Sequence, residues 1–193
     1  WAKQDYPLED LLFIDHEEES APAGPAEAPV IPEEDRDLFQ RFCATNVQPQ
    51  KQVGYAAVEV KVNQGDLGPK QFRELARILR EYGNGRARTT HWQNIVLRWI
   101  PTNNLYPVWR ELRALGLGTP GALEITDVVS CPGTDSCKLG ITSSMGLNRG
   151  VQAKVEEMRI RDPLTRQILI NLSGCPNSCG MHHVGNIGFQ GAA

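Results

Sequence analysis

Apolar and polar positions along the middle of the chain predict an alternation of strands and helices. Residues 53–62 alternate as a half-buried strand does, and the run 87–100 is rich in the β-branched and aromatic residues that strands favour. Each predicted strand is followed by apolar residues at helical spacing, over 69–83 and again over 105–116. The order strand, helix, strand, helix predicts a small α/β layer of roughly sixty residues.

The helical spacing also predicts which side chains form the core of this layer. One face of each helix is apolar, and we expect these faces to pack against the sheet. The stripe of the first helix is Phe72, Leu75, Ala76, Leu79 and Tyr82, and that of the second is Leu105, Val108, Trp109, Leu112 and Leu115.

A second unit is predicted from about residue 126 onward. Short apolar runs predict strands over 125–130 and 167–172, and helical spacing predicts a helix over 151–161. Two helix-and-strand units in succession place the chain among mixed α and β folds.

The beginning of the chain has a different composition. Residues 17–37 consist mainly of Glu, Ala and Pro with few large apolar side chains, so they bury too little surface to offset the entropy of ordering. We expect a solvated linker here, with folded structure beginning near Asp37. The chain starts at Trp1 rather than Met, which favours a segment of a longer protein.

Charge is unevenly distributed along the chain. Residues 1–37 hold 12 of the 23 acidic residues and two of the 20 basic ones, so the remainder carries 18 basic and 11 acidic residues. A basic body can attract nucleic acid, an acidic protein or a small anion. No apolar run has the length of a membrane span, and the first residues lack the features of a secretion signal. We therefore expect a cytoplasmic location and no membrane partner.

The five cysteines provide the candidate chemistry. Cys131 and Cys137 enclose five residues, Cys175 and Cys179 enclose three, and 37 residues separate the two pairs. Each pair follows a predicted strand, so two loops at one sheet edge can bring four thiolates together. Four thiolates are what an iron-sulfur cluster requires.

Spacing alone leaves other interpretations of the cysteines open. A disulfide framework is disfavoured by the odd cysteine count and the absence of a signal peptide. Structural zinc is a better alternative, with His182 and His183 nearby, although zinc sites usually have spacings of two to four residues. Cys43 has no partner in either pair and is expected to be a small buried residue.

Four segments resemble one family. "CPGTDSCKLG", followed by "SGCPNSCG" and "IGFQG", resembles the C-x5-C and C-x3-C signature of sulfite and nitrite reductases that carry siroheme and a [4Fe-4S] cluster, and "RTTHWQN" resembles a second pattern of that family. The resemblance implies an α+β fold: a ferredoxin-like α/β half domain over 53–118, preceded by the end of another region and an acidic linker (1–52), and followed by part of a mixed α/β siroheme- and [4Fe-4S]-binding domain (119–193).

The resemblance also implies roles for individual residues. Cys131, Cys137 and Cys175 would bind the cluster alone, while Cys179 would be shared between the cluster and the siroheme iron as its axial ligand. The implied cofactor-binding residues are Arg88, Thr90, Gln93, Asn94 and Asn177. The two histidines after the motif would then pack or contact the macrocycle rather than bind metal.

The implied reaction is the six-electron reduction of nitrite to ammonia or of sulfite to sulfide. Its partners would be the small anion, ferredoxin or a similar one-electron donor, and the N-terminal half of the same protein, without nucleic acid. A fragment lacking that half is expected to be inactive alone. The alternatives are a cluster-bearing relative such as precorrin-3B synthase or dissimilatory sulfite reductase, and a non-catalytic zinc-stabilised α/β module.

Overall fold

A helix with two buried phenylalanines begins the regular structure. The computed structural model describes residues 22–193, and those before Glu33 form no helix or strand. Helix α1 (Glu33–Asn46) follows Pro32 and buries Phe39 and Phe42. The predicted linker is wrong for residues 33–37, because both aromatic rings enter the core and order the helix from its first turn. Residues 17–21 of that prediction lie outside the described residues.

The first layer is an antiparallel sheet covered by helices. Its strand order is β1-β2-β4-β3. The strands are β1 (Val47–Pro49), β2 (Tyr55–Val60), β3 (Ala87–Thr89) and β4 (Ile95–Pro101), and the helices that follow β2 and β4 are α2 (Pro69–Tyr82) and α3 (Leu105–Ala114). Both predicted helices are present, and α2 ends at Tyr82, directly before the glycine predicted to stop it.

The predicted strand over 87–100 is wrong, because this run is a hairpin of two strands. β3 pairs antiparallel with β4, with Thr89 opposite Ile95. Between them, the backbone N–H of Gln93 donates to Thr90 O at 3.1 Å, and Gln93 takes the left-handed conformation with φ of 66°. Strand-forming side chains thus flank a tight turn that their composition does not reveal.

The core of this layer lies between sheet and helices. Trp109 is fully buried, and its indole N–H donates to Gly118 O at 3.1 Å. The predicted core role of Phe72 is wrong, since 57% of this residue is exposed. Helix α2 instead buries Leu75, Ile78 and Leu79. These three residues are centred about 70° around the helix from Phe72, so that ring lies at the edge of the buried face.

The second layer is a parallel three-stranded sheet in the order β5-β6-β7. Its elements are β5 (Val129–Ser130), α4 (Ser144–Met158), α5 (Pro163–Arg166), β6 (Ile170–Ser173) and β7 (Ile187–Gln190). The helix predicted over 151–161 begins earlier, because the Ser143 hydroxyl accepts a hydrogen bond from the Gly146 N–H at 3.1 Å and caps it there. Val155, Ile170 and Leu172 belong to its core.

The predicted strand over 125–130 is mostly a turn. Only Val129 and Ser130 pair with β6, while the Asp127 N–H donates to Glu124 O at 2.7 Å. The turn directs the Asp127 side chain towards Asn94 of the first layer. Of the helices within residues 22–193, none combines the length and the apolar character needed to cross a membrane.

Candidate functional site

Two loops carry the four predicted ligand cysteines, and both begin at the carboxyl edge of the parallel sheet. Cys131 directly follows β5, and Cys175 follows β6 after one intervening glycine. The two strands are neighbours, and the Cys131 N–H donates to Leu172 O at 3.1 Å. Adjacent parallel strands end at the same edge, so the two loops start side by side. Cys137 and Cys179 lie further along them.

The thiol of Cys131 lies in a hydrogen-bonding environment built by both loops. Its Sγ accepts a hydrogen bond from the Gly174 N–H at 3.1 Å and lies 3.3 Å from the Ser144 hydroxyl oxygen. Burial by itself would raise the pKa of this thiol, but the Ser144 hydroxyl and the N–H groups of Gly174 and Gly133 together lower it. The thiolate is the form that binds metal, so this position favours a ligand.

Glycines allow the backbones of the two loops to touch. A Cβ on Gly174 would lie 2.8 Å from both Gly133 Cα and Thr142 O, and one on Gly180 would overlap the Leu172 carbonyl. The Gly174 carbonyl accepts hydrogen bonds from the Ile141 and Thr142 N–H groups at 2.8 and 3.1 Å. The two loops therefore form one packed body.

The two outer cysteines differ from the two inner ones. Cys131 and Cys175 are buried, whereas Cys137 and Cys179 are exposed. Within residues 22–193, no group of three or more His, Cys, Asp or Glu side chains is gathered closely enough to hold a metal ion. The donor set nevertheless fits a [4Fe-4S] cluster chemically, because it comprises four cysteines on two joined loops, one with a lowered pKa. Their role as ligands stays a prediction.

Three of the remaining predicted cofactor residues have structural contacts. The Thr90 hydroxyl accepts a hydrogen bond from the Asn94 N–H at 3.2 Å and closes the β3–β4 turn. The Gln93 side chain bonds both backbone groups of Ser130, donating to its carbonyl at 2.7 Å and accepting from its N–H at 3.2 Å. The Gln93 contacts join the hairpin to β5. The cofactor-binding roles of Thr90 and Gln93 stay predictions.

The other two predicted cofactor residues are exposed. Arg88 lies on strand β3, all of whose residues are exposed, and its backbone pairs with that of Val96. Asn177 is exposed in the loop between Cys175 and Cys179. Both remain predictions. His182 is 92% buried, since its relative exposure is 8%, and its two ring nitrogens have no hydrogen-bond partner among the described residues.

Asn94 is the centre of a buried polar cluster that joins the two layers. Its side-chain N–H groups donate to Asp127 at 2.7 Å and to Glu59 at 3.1 Å, and its side-chain oxygen accepts from the Val62 N–H at 3.0 Å. Lys61 adds a further link, donating from Nζ to Thr126 O at 2.7 Å. The interface therefore depends on polar contacts as well as on packing.

Burial shifts the acid–base properties of this polar cluster. Burial raises the pKa of Asp127 and of Glu59 and lowers the pKa of Lys61. In each case the effect of burial is larger than the opposing effect of neighbouring hydrogen bonds and charges. The sequence analysis missed these three residues. The signal was present: if Val58, Val60 and Val62 face one side of the sheet, then Glu59 and Lys61 face the other, where the second layer packs.

We predict that Asp127→Asn stabilises the protein increasingly as pH rises above 3.8, the ordinary pKa of the carboxyl. Because the folded-state pKa is raised, the folded state binds more protons than the unfolded state, and the wild-type free energy of unfolding falls as pH rises through the interval between the two pKa values. The amide of the variant does not ionise and still accepts hydrogen bonds from Asn94 and Leu123. Urea unfolding of both proteins at several pH values measures the difference, and a difference independent of pH would contradict the prediction.

The fold and the cysteine loops together define a class of protein. It has a ferredoxin-like α/β layer joined by polar contacts to a parallel-sheet unit with cysteines on its strand-end loops. Residues 48–115 match the family model described as "Nitrite/Sulfite reductase ferredoxin-like half domain". The chain belongs to the nitrite/sulfite reductase family, as its sequence motifs predicted.

The chain is similar to relatives named as nitrite reductases and to one named as a sulfite reductase. It is 30% identical over 192 residues to the ferredoxin–nitrite reductase of Synechococcus elongatus, covering all of this chain and 36% of that protein. It is 34% identical to the chloroplastic ferredoxin–nitrite reductase of Zea mays, covering 79% of this chain and 27% of that one. It is 32% identical to "Sulfite reductase [ferredoxin] 2" of Mycolicibacterium paratuberculosis, covering 87% of this chain and 29% of that protein.

The solved structures agree with the fold. The NirA protein of Mycobacterium tuberculosis superposes with a TM-score of 0.65 at 27% identity, over 86% of this chain and 29% of that one. A dissimilatory sulfite reductase I shares the fold alone, with a TM-score of 0.54 at 15% identity. The chain thus spans about a third or less of the length of these proteins.

Proposed function

We propose that this chain contributes part of the catalytic domain of a reductase that uses siroheme and a [4Fe-4S] cluster to reduce nitrite to ammonia or sulfite to sulfide. The observation that carries the proposal is the pair of cysteine loops at one edge of the parallel sheet, in a chain of this family. Family membership also favours the reductase over a zinc-stabilised module. The names of the relatives support both nitrite and sulfite as substrates.

Cys131, Cys137, Cys175 and Cys179 are the proposed cluster ligands, with Cys179 also bound to the siroheme iron. The cofactors would supply one-electron storage and transfer to the anion through six successive reductions. The chain's own contribution is the scaffold of the two loops, in which the Gly174 N–H donates to the Cys131 sulfur. Such hydrogen bonds reduce the negative charge on the ligand sulfur and so tune the reduction potential of the cluster.

The proposed partners are a small anion and ferredoxin, the donor named for the relatives, together with the remaining part of a longer protein. Residues 38–193 carry 18 basic and 11 acidic residues, and this net positive charge suits an anionic substrate and an acidic donor. A cytoplasmic location stays a prediction, because the plant relatives are chloroplastic.

The test of this function is spectroscopy and turnover of the holoprotein that contains this chain. We expect iron, acid-labile sulfide and the Soret and long-wavelength bands of siroheme, with turnover of nitrite or sulfite when reduced ferredoxin is supplied. The two anions are assayed side by side, since the relatives include reductases of both. A colourless, zinc-containing protein without turnover would refute the proposal.

A further inference from the structure

The Gln93 side chain completes an edge of the second sheet from within the first layer. Among residues 22–193, strand β5 pairs with β6 alone, so its other side presents backbone groups that no strand of this part of the chain pairs. At that side the Gln93 amide donates to Ser130 O and accepts from Ser130 N–H, at 2.7 and 3.2 Å. The amide thus bonds the backbone as a neighbouring strand would. The residue that directly follows β5 is Cys131.

The conformation of Gln93 is itself held in place. Its backbone has the left-handed φ of 66° in the closed β3–β4 turn. A Cβ added at Gly65 would lie 3.0 Å from Gln93 Cβ and 3.4 Å from Gln93 Cδ, so the chain packs closely along this side chain. The turn and the packing against Gly65 therefore hold the Gln93 side chain in place where its amide bonds Ser130.

Other polar contacts hold the same short segment from helix α4. Asn148 donates to Val128 O at 2.8 Å and to the Ser130 hydroxyl at 2.9 Å, and the Ser144 hydroxyl donates to Cys131 O at 2.7 Å. Helix α4 therefore fixes one side of the segment. Gln93 is the contact that fixes it from the ferredoxin-like layer.

We propose that Gln93 is a positioning residue for the cluster ligand Cys131. By bonding both backbone groups of Ser130, it sets the direction in which the chain leaves β5 and hence the position of the Cys131 sulfur. This inference rests on the proposed function, because it assumes that Cys131 binds the cluster. It gives Gln93 a role through the ligand's backbone, without contact with the cofactor.

The chain offers a matched control for this amide. Gln71 in helix α2 also makes one donor and one acceptor bond to backbone, donating to Leu115 O at 3.0 Å and accepting from Gly68 N–H at 2.9 Å. Both of its partners belong to the first layer and its border, away from the cysteine loops. Gln71→Met therefore removes equivalent hydrogen bonds without touching β5, and Gln93→Met removes those on Ser130.

The experiment compares wild-type, Gln93→Met and Gln71→Met holoproteins in iron release to a chelator and in hydrogen exchange at the Ser130 amide. Loss of support behind a metal ligand costs about 10-fold to 100-fold in metal affinity, so we expect iron release from Gln93→Met to be about tenfold faster than from wild type. We also expect faster exchange at Ser130. Gln71→Met should match wild type in both measurements.

The outcomes separate this inference from the proposed function. Unchanged iron release in Gln93→Met, or equal acceleration in both variants, would overturn the positioning role while leaving the cluster in place. A wild-type protein purified without iron and sulfide would overturn the proposed function, and this inference with it.

Discussion

Replacing Cys131 by alanine is expected to abolish the iron-sulfur absorption of the holoprotein. The proposed cluster requires four thiolates, and the Cys131 sulfur accepts a hydrogen bond from the Gly174 N–H at 3.1 Å. Hydrogen bonds lower the pKa of this thiol despite its burial, which favours the thiolate form that binds metal. Iron and acid-labile sulfide per chain, with the visible spectrum, measure the result.

Cys43→Ala is the matched control. Cys43 is half-buried in helix α1 against the first-layer core, and burial raises the pKa of its thiol. It is therefore held as a neutral packing residue, and its variant should keep the iron content of the wild type. Full iron content in Cys131→Ala would exclude Cys131 as a required ligand.

Asn94→Leu is expected to lower the free energy of unfolding by at least about 3 kcal/mol, because each buried partner left unsatisfied costs about 1–3 kcal/mol. Leucine has a similar volume but cannot bond the Val62 N–H or the carboxylates of Glu59 and Asp127, all of which contact the Asn94 side chain. Asn94 is 1% exposed, so water does not replace these bonds. Urea unfolding measures the loss.

Asn103→Leu serves as the comparison for that variant. Asn103 makes a single exposed hydrogen bond, to Pro25 O at 2.8 Å, so its replacement should change stability by no more than about 0.5 kcal/mol. Equal losses in the two variants would contradict the importance assigned to the Asn94 cluster.

Local sequence patterns predicted the helices of the first layer well where a proline or a glycine marked the end of an element. Helix α2 runs from Pro69 to Tyr82 because proline suits the first helical turn and Gly83 follows the last. The pattern failed at residues 87–100, where a hairpin turn depends on the left-handed conformation of Gln93. It failed again at Phe72, since a helical stripe of apolar residues does not show which side the sheet covers.

Sequence patterns likewise predicted one part of the candidate site and missed another. Cysteine spacing left a cluster and a zinc site both open, and the resemblance to the reductase family is what nominated the four ligands. Their places after two strands followed from the apolar runs. The polar cluster of Glu59, Lys61 and Asp127 was not predicted, because charged residues in a strand ordinarily face solvent. Here the face opposite the first core is covered by the second layer.

The sequence by itself determined the family, the order of most helices and strands, and which cysteines are candidate ligands, because these depend on residue type and local spacing. Only the tertiary structure decided what Gln93 and Asn94 contact. Both belong to a motif that resembled a cofactor-binding pattern, yet their amides bond Ser130 and Asp127, 37 and 33 residues further along the chain. Such contacts arise when two layers that are distant in sequence pack together, and local spacing carries no information about which distant backbone a buried amide will meet.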